Sequence, residues 1–273
     1  MSVLSIEDIK CEIGNNLFIY PLKEDNIKGN SVNLTVSKFA WSIQSKKSIY
    51  NQETNEVIIN PNDSALIYTN EAIYVTNKIG GTYHSKVSLV AQGAGHIGTT
   101  LDPQYMGLSL ITVHNHHPKD HIKLKVGSSF VSIVFHYLKT PPYSIAHNNT
   151  PGQIGILNGY DIKEFSKWAE ERDWANETRK LINKVKNSPE LKDLKESLRG
   201  ERKQRHKLLL RLLDNPIAKY LCFVVLFVGG YYITNYLQNL LPATYDMIQI
   251  AYFTASITLF LTTIVSDVKK LLE

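Results

Sequence analysis

Side chains able to hold a ligand or move a proton crowd one short stretch, HNHHPKDH at 114–121. If the run begins in a strand, His114 and His116 share a face, as a metal site would require. A hairpin turn this rich in histidine is usually solvated, and no metal site is expected there. With Lys119, Lys123 and Lys125, the same histidines could instead attract the phosphates of an oligonucleotide. Upstream, Asp102-Pro103 has the chemistry of a turn opener, with Tyr105 close behind. The glycines at 93–98 form no phosphate loop of the P-loop or dinucleotide type, because the lysine and the following helix are missing. Far downstream, Thr254, Thr258 and Thr262 repeat at helical spacing beside Ala251 and Ala255. Such a stripe suits close helix packing; the sharper alternative is a pore lining, since hydroxyls tolerate water and ions.

Three kinds of element must position these groups. Up to about residue 140 the chain is a succession of short alternating or apolar runs: LFIY (17–20), VNLTV (32–36), EVIIN (56–60), ALIYT (65–69), AIYVT (72–76), SLITVHN (109–115), IKLKV (122–126) and FVSIVFHYL (130–138). Pro61-Asn62-Asp63, Gly80-Gly81 and Pro118-Lys119-Asp120 punctuate them as turns. Regular short strands of this kind predict a β-barrel or β-sandwich. Between 161 and 213 the pattern turns helical, and Phe165, Trp168, Trp174, Leu181, Ile182 and Val185 give an interrupted stripe. Ser188-Pro189-Glu190 restarts a helix, with Ser as N-cap and Pro at the first helical position. This region reads as a connector without chemistry of its own.

Two apolar runs close the chain, YLCFVVLFVGGYYITNYL from 220 and MIQIAYFTASITLFLTTIV from 247. Each is about the length that crosses a bilayer core of roughly 30 Å as a helix. Arg199, Arg202, Lys203, Arg205, Lys207 and Arg211 crowd the entry to the first run, and Lys269 and Lys270 follow the second. QNLLPATYD between them carries no Lys or Arg. The formal charge of +5 is therefore local, and its placement favours a membrane flank over a nucleic-acid patch. Two transmembrane helices are expected, at about 218–238 and 247–266, with both chain ends in the cytoplasm. Cys11 and Cys222 are the only cysteines, which fits a reducing compartment, and MSVLSIEDIKCEIG lacks the features of a secretory signal.

The succession GNSVNL (29–34), SKVSLVAQG (85–93), LDPQYMG (101–107), ITVHN (111–115) and VGSSFVSIVF (126–135) resembles the trimeric dUTPase and dCTP deaminase family over about half the chain. The resemblance implies a mainly β head, a dUTPase-like barrel or jelly roll, over 1–145. A linker and α-helical stalk (146–214) and a transmembrane hairpin (215–273) would follow. It implies that Lys86 and Ser88 meet phosphate, that Asp102 stands where dUTPases orient water, and that Tyr105 packs under the deoxyribose. Gln92, Thr100 and Asn115 join them as expected ligand contacts. In dCTP deaminases the hairpin strand carries a glutamate base, and Thr112 stands at that position. The family's serine and arginine in the phosphate segment align with Val87 and Ala91, while Asn33 and Ser132 replace an acidic residue and a glutamine. NTPGQIGILNG (149–159) is a distant echo of the family's glycine-rich arm. Deamination by the family's route is therefore expected to be lost.

The expectation is a membrane-anchored sensor that binds a deoxynucleotide or a short DNA oligomer and controls permeabilisation or ion conduction by its hairpins. Such an architecture resembles effectors of bacterial anti-phage abortive infection, in the inner membrane. The alternative is a membrane-tethered deoxynucleotide hydrolase using Asp102. No cofactor is expected beyond Mg accompanying a nucleotide. The expected partners are the lipid bilayer and further copies of the chain, three by family resemblance or four around a pore.

Overall fold

Alternating apolar residues become strands across the N-terminal half of the computed structural model, which describes residues 2–95, 98–142, 151–214, 216–238 and 245–272. The strands of four or more residues are β1 (Leu17–Tyr20), β2 (Ser31–Ser42), β3 (Glu56–Ile59), β4 (Ser64–Val75), β5 (Ile79–Ser85), β6 (Met106–Asn115), β7 (Ile122–Lys125) and β8 (Ser129–Tyr137). In space the order is β5, β8, β2, β4, β6, with β1 also on β4; β7, β3 and Tyr50–Asn51 form a separate small sheet. β2 joins two parts of the curled sheet: Ser31–Thr35 pair with β8, whereas Val36–Ser42 pair with β4. β8 shows why these segments are strands. Phe130, Val131, Ile133 and Phe135 are buried, and Ser132, Val134 and His136 stay partly exposed. Burial of each large apolar side chain contributes about 1.5–3 kcal/mol.

Two expectations are corrected by the strands. Gly80-Gly81 is no turn but lies inside β5. A Cβ on Gly81 would stand 3.0 Å from the Val134 carbonyl oxygen, and one on Gly80 would stand 3.1 Å from His136 Nε2. The glycines are there because β8 passes too close for a side chain. ALIYT and AIYVT, expected as two strands, run together as β4.

Helices complete the first of two compact units, Met1–Leu198. α1 (Ile6–Glu12) begins with a reciprocal cap, in which Ser5 Oγ accepts from the Asp8 N–H and Asp8 Oδ2 accepts from the Ser5 N–H. α2 (Lys163–Glu171) and α3 (Thr178–Lys186) bury Phe165, Ala169, Leu181 and Val185. Phe165 stacks on Tyr68 of β4 with centroids 4.5 Å apart. Trp168 meets Phe39 at 5.3 Å, and Trp174 meets Tyr20 at 4.9 Å, both edge to face. The aromatic stripe of the expected stalk thus packs on residues of β1, β2 and β4.

The second unit, Arg199–Glu273, holds the end of α4 (Pro189–Asp214), α5 (Pro216–Gln238) and α6 (Tyr245–Leu272). Among the described residues one helix is long and apolar enough to cross a bilayer, Asp246–Ile264, with mean hydropathy 1.6. α5 contributes a shorter apolar run, Phe223–Tyr236. The two helices lock at Gly230, where any Cβ would overlap the Tyr252 ring, and Tyr252 donates its hydroxyl to the Leu226 carbonyl. Thr254, Thr258 and Thr262 are exposed, and each donates to a carbonyl of its own helix. Residues 239–244, where the connecting loop was expected, and the side chains of Arg202, Arg205, Lys207 and Arg211 lie outside the described residues.

Candidate functional site

β6 builds the site because its faces divide cleanly. Leu110, Thr112 and His114 point to the partly exposed side, while Ile111, Val113 and Asn115 are buried. Leu110, Ile111, Thr112 and His114 line a cleft of about 300 Å³ with Tyr83, Thr100, Tyr105 and Ser109. Gln153 and Ile156, from the helical turns Pro151–Leu157, form another part of its wall. That segment is held by Tyr68, whose hydroxyl donates to the Gly152 carbonyl at 2.7 Å. Residues 149–150 of the expected arm echo lie outside the described residues.

The cleft is rich in hydroxyl groups. Tyr105 donates to the Leu108 carbonyl at 2.7 Å, and Tyr83 Oη and Ser109 Oγ share a hydrogen bond of the same length. Burial pushes the phenols of Tyr83 and Tyr105 well up from their ordinary value, so both stay neutral. His114 Nδ1 lies 2.6 Å from Ser64 Oγ across the β4–β6 ladder. No carboxylate and no lysine or arginine stands among the described lining residues. The arrangement can hold a polar ring and a sugar, but Thr112 cannot take a proton from water.

The expected site residues fall into four groups. Thr100 and Tyr105 line the cleft, and the Thr100 hydroxyl donates to Oδ1 of exposed Asp102 at 3.3 Å. Lys86 belongs to a second cluster: its Nζ donates to Asn33 Oδ1 at 2.8 Å and reaches Ser129 Oγ at 3.3 Å. Ser132 Oγ donates to the same Asn33 oxygen at 2.8 Å. Burial, aided by the charge of Lys28, lowers the Lys86 ammonium below its ordinary value. Ser88 and Gln92 are exposed, in and just after the one-turn helix Val87–Val90. Asn115 departs from the cleft altogether. It is 2% exposed, and its Nδ2 donates to the carbonyls of Ile59, Asn60 and Asp120 while Oδ1 accepts the His117 N–H. Its amide closes the loop after β6 rather than waiting for a ligand.

Sequence reasoning did not place Tyr83, Ser109 or His114 in the cleft. Tyr83 was hidden by reading Gly80-Gly81 as a turn. His114 could have been found from its position two residues after Thr112 on one strand face. Its neighbours build no metal centre: among the described residues no three His, Cys, Asp or Glu side chains converge. His117 instead accepts the Asp120 N–H at Nδ1, 2.8 Å away, and pairs with the Asp120 carboxylate at Nε2.

Residues 3–138 match the family described as dCTP deaminase-like. The chain is 30% identical over 155 residues to a probable deoxyuridine 5'-triphosphate nucleotidohydrolase of Sulfolobus islandicus rod-shaped virus 1, covering 55% of this chain and 95% of that one. The chain belongs to the dCTP deaminase-like family. The dCTP deaminase of Pyrococcus abyssi is also 30% identical to this dCTP deaminase-like chain, over 146 residues, covering 54% of this chain and 93% of the relative. Among solved structures, 2'-deoxycytidine 5'-triphosphate deaminase from Agrobacterium tumefaciens superposes with a TM-score of 0.39 at 12% identity, over 49% of this chain and 48% of that one. Native EIAV dUTPase gives 0.35 at 21% identity, over 49% and 98%. The dCTP deaminase-like head thus keeps a formed cleft, and the strand that builds it carries threonine at 112.

Proposed function

We propose that the dCTP deaminase-like head binds a deoxynucleotide in the β6 cleft without turning it over, and that occupancy sets the conducting state of the helical hairpin in a bilayer. The carrying observation is Thr112, facing a formed cleft with no carboxylate among its described lining residues. Hydrolytic deamination needs a group that accepts a proton from the attacking water, and a threonine hydroxyl does not do so near neutral pH. Groups suited to recognition remain, namely the Tyr105 ring, the Thr100 and Ser109 hydroxyls and the Gln153 amide. The apolar helix Asp246–Ile264 and the run Phe223–Tyr236 support the membrane half of the reading. The protein then sits in a bacterial inner membrane as a homo-oligomer and acts as an effector in anti-phage abortive infection. Short DNA presenting a deoxynucleotide end is the second ligand class to test, with Mg supplied alongside it.

The test starts from the full chain purified in detergent, with mass spectrometry of whatever leaves on denaturation. The expected result is a released or saturably bound deoxynucleotide, no product from dUTP or dCTP, and a ligand-dependent ion flux after reconstitution in liposomes. The second reading, a tethered hydrolase, is supported by exposed Asp102 beside cleft-lining Thr100. Turnover of dUTP that disappears in Asp102→Asn would establish that reading and sink the first.

A further inference from the structure

Three strands lose register at one place in the sheet. β2 inserts Ser37, Lys38 and Phe39 between the pairs Val36↔Thr69 and Ala40↔Ile67. β6 is interrupted between Leu108↔Ala72 and Leu110↔Tyr68, which takes Asn70 and Glu71 of β4 out of that ladder too. Bulges re-aim side chains and recur beside binding sites. Here they open a cavity of about 210 Å³ that shares no lining residue with the β6 cleft.

The walls of this second cavity are chemically mixed. Phe39, Tyr50 and Trp168 supply aromatic side chains, and the Trp168 ring itself stacks on Phe165 and carries the Arg172 guanidinium over it at 5.1 Å. Tyr50 donates its hydroxyl to Asn55 Oδ1 at 3.0 Å, which leaves the Asn55 Nδ2 hydrogens for a ligand. Asn70 Nδ2 is held by Thr35 Oγ1 and the Val36 carbonyl, at 3.0 and 2.7 Å, and its Oδ1 has no protein donor among the described residues. Lys38 is the one cation among the described lining residues, with Nζ 5.3 Å from the Phe39 ring centroid. Its carboxylate partner is Glu164, one helical turn before Trp168 on α2. Both side chains of that pair are substantially exposed, at 40% and 70%, so the pair contributes little and is readily exchanged.

We propose that this cavity binds a planar heteroaromatic anion: a ring of nucleobase size carrying an acidic group. The ring packs against the Tyr50 ring and the edge of Trp168, and its own edge pairs with Asn70 Oδ1 and Asn55 Nδ2. The acidic group draws Lys38 away from Glu164. At about 210 Å³ the space is below the roughly 300–1,000 Å³ of pockets for drug-sized ligands, so it encloses the ring and leaves the acidic group at the mouth beside Lys38. Binding here exchanges an ion pair between α2 and β2 for contacts to the ligand, and so touches α2, which supplies no described lining residue of the β6 cleft.

The experiment uses the full chain in detergent, titrated with AMP, GMP, CMP, UMP and indole-3-carboxylate one at a time and followed by calorimetry. At least one probe should bind saturably and keep its affinity in Thr112→Phe, which fills the cleft instead. Lys38→Met combined with Asn55→Ala should weaken it about tenfold or more, as expected for losing a charge-assisted contact and an amide contact. Glu164→Ala, which frees Lys38, should tighten it, an effect that damage to the fold would not produce. Saturation by none of the probes to millimolar concentration would overturn the proposal. So would loss of binding in Thr112→Phe, or undiminished binding in the double variant with an unchanged melting curve.

Discussion

Two places on neighbouring strands treat a carboxyl group in opposite ways. On β4, Glu71 is 3% exposed, yet its carboxylate accepts the Thr35 N–H at 2.9 Å and the Thr35 hydroxyl at 2.7 Å. Asn70 donates to that same hydroxyl, so the group sits in a small closed network. Burial drives its pKa up, against the opposing pull of Thr35 and the charge of Lys23. On β6, the cleft has threonine at 112 and surrounds it with phenols and hydroxyls, of which Tyr83 and Ser109 are bonded to one another and Tyr105 to a backbone carbonyl. The curled sheet can therefore hold a carboxyl group deep inside when a backbone N–H and a hydroxyl meet it. The missing base belongs to residue 112 and its surroundings, not to any general intolerance of the fold.

The largest effect tests the β4 side of this contrast. Glu71→Ala strands the Thr35 N–H in the interior and leaves a void, which together should lower stability by about 2–4 kcal/mol. Thermal melting of the full chain in detergent reads this directly. A melting point within a degree of the parent would mean that water replaces the carboxylate. Next comes Thr112→Glu, expected to cost about 1–3 kcal/mol at neutral pH, because no lysine or arginine is among the described residues lining the cleft to receive the new charge. It should still form no uridine nucleotide from dCTP, since Val87 and Ala91 remain in the phosphate segment. Appearance of product would show that one side chain separates a binder from an enzyme here.

How much of this was legible depends on where each residue's partner lies. The alternation in IKLKV and FVSIVFHYL marks β7 and β8 because burial has a period of two along one strand. Gly80-Gly81 reads as a turn until β8 is known to pass against it. β4 reads as two strands because Asn70 and Glu71 interrupt its apolar run, and their partner, Thr35, lies in another strand. The stripe of Phe165, Trp168 and Trp174 gives away a helix but not its dock, since Phe39, Tyr68 and Tyr20 lie far upstream. In the site, Thr112 and Tyr105 were visible through family resemblance, and both face the cleft. Asn115 was visible the same way, but its amide is taken by Ile59 and Asn60, carbonyls more than fifty residues before it.

A smaller effect separates charge from shape at Glu71. Its pKa is raised in the folded state, so the folded chain holds this proton more tightly than the unfolded chain does. Its contribution to stability is therefore complete below the ordinary carboxylate value and is lost as pH rises through the raised folded value. Glu71→Gln keeps an oxygen for the Thr35 N–H and an amide for the Thr35 hydroxyl, but has no proton to lose. The variant should melt within about 1 kcal/mol of the parent at low pH, and its stability should fall less as pH rises from the ordinary carboxylate range. Parallel profiles for the two proteins would mean that Glu71 titrates normally, and the contrast with the cleft would lose its electrostatic half.

The last test lies in the cleft itself. Tyr105→Phe removes one hydrogen bond, from the hydroxyl to the Leu108 carbonyl, and keeps the ring. The carbonyl lies at the rim of the bulge in β6, where register with β4 is already interrupted, so its loss should cost about 0.5–1.5 kcal/mol. If the ring packs under a deoxyribose, affinity for a deoxynucleotide should change less than about tenfold, because the apolar face is untouched. Tyr105→Ala removes that face and should abolish measurable binding. Equal affinities for the phenylalanine and alanine variants would take Tyr105 out of the binding surface. The cleft would then be a remnant of the barrel, and Glu71, with its network intact, the better guide to what the fold was kept for.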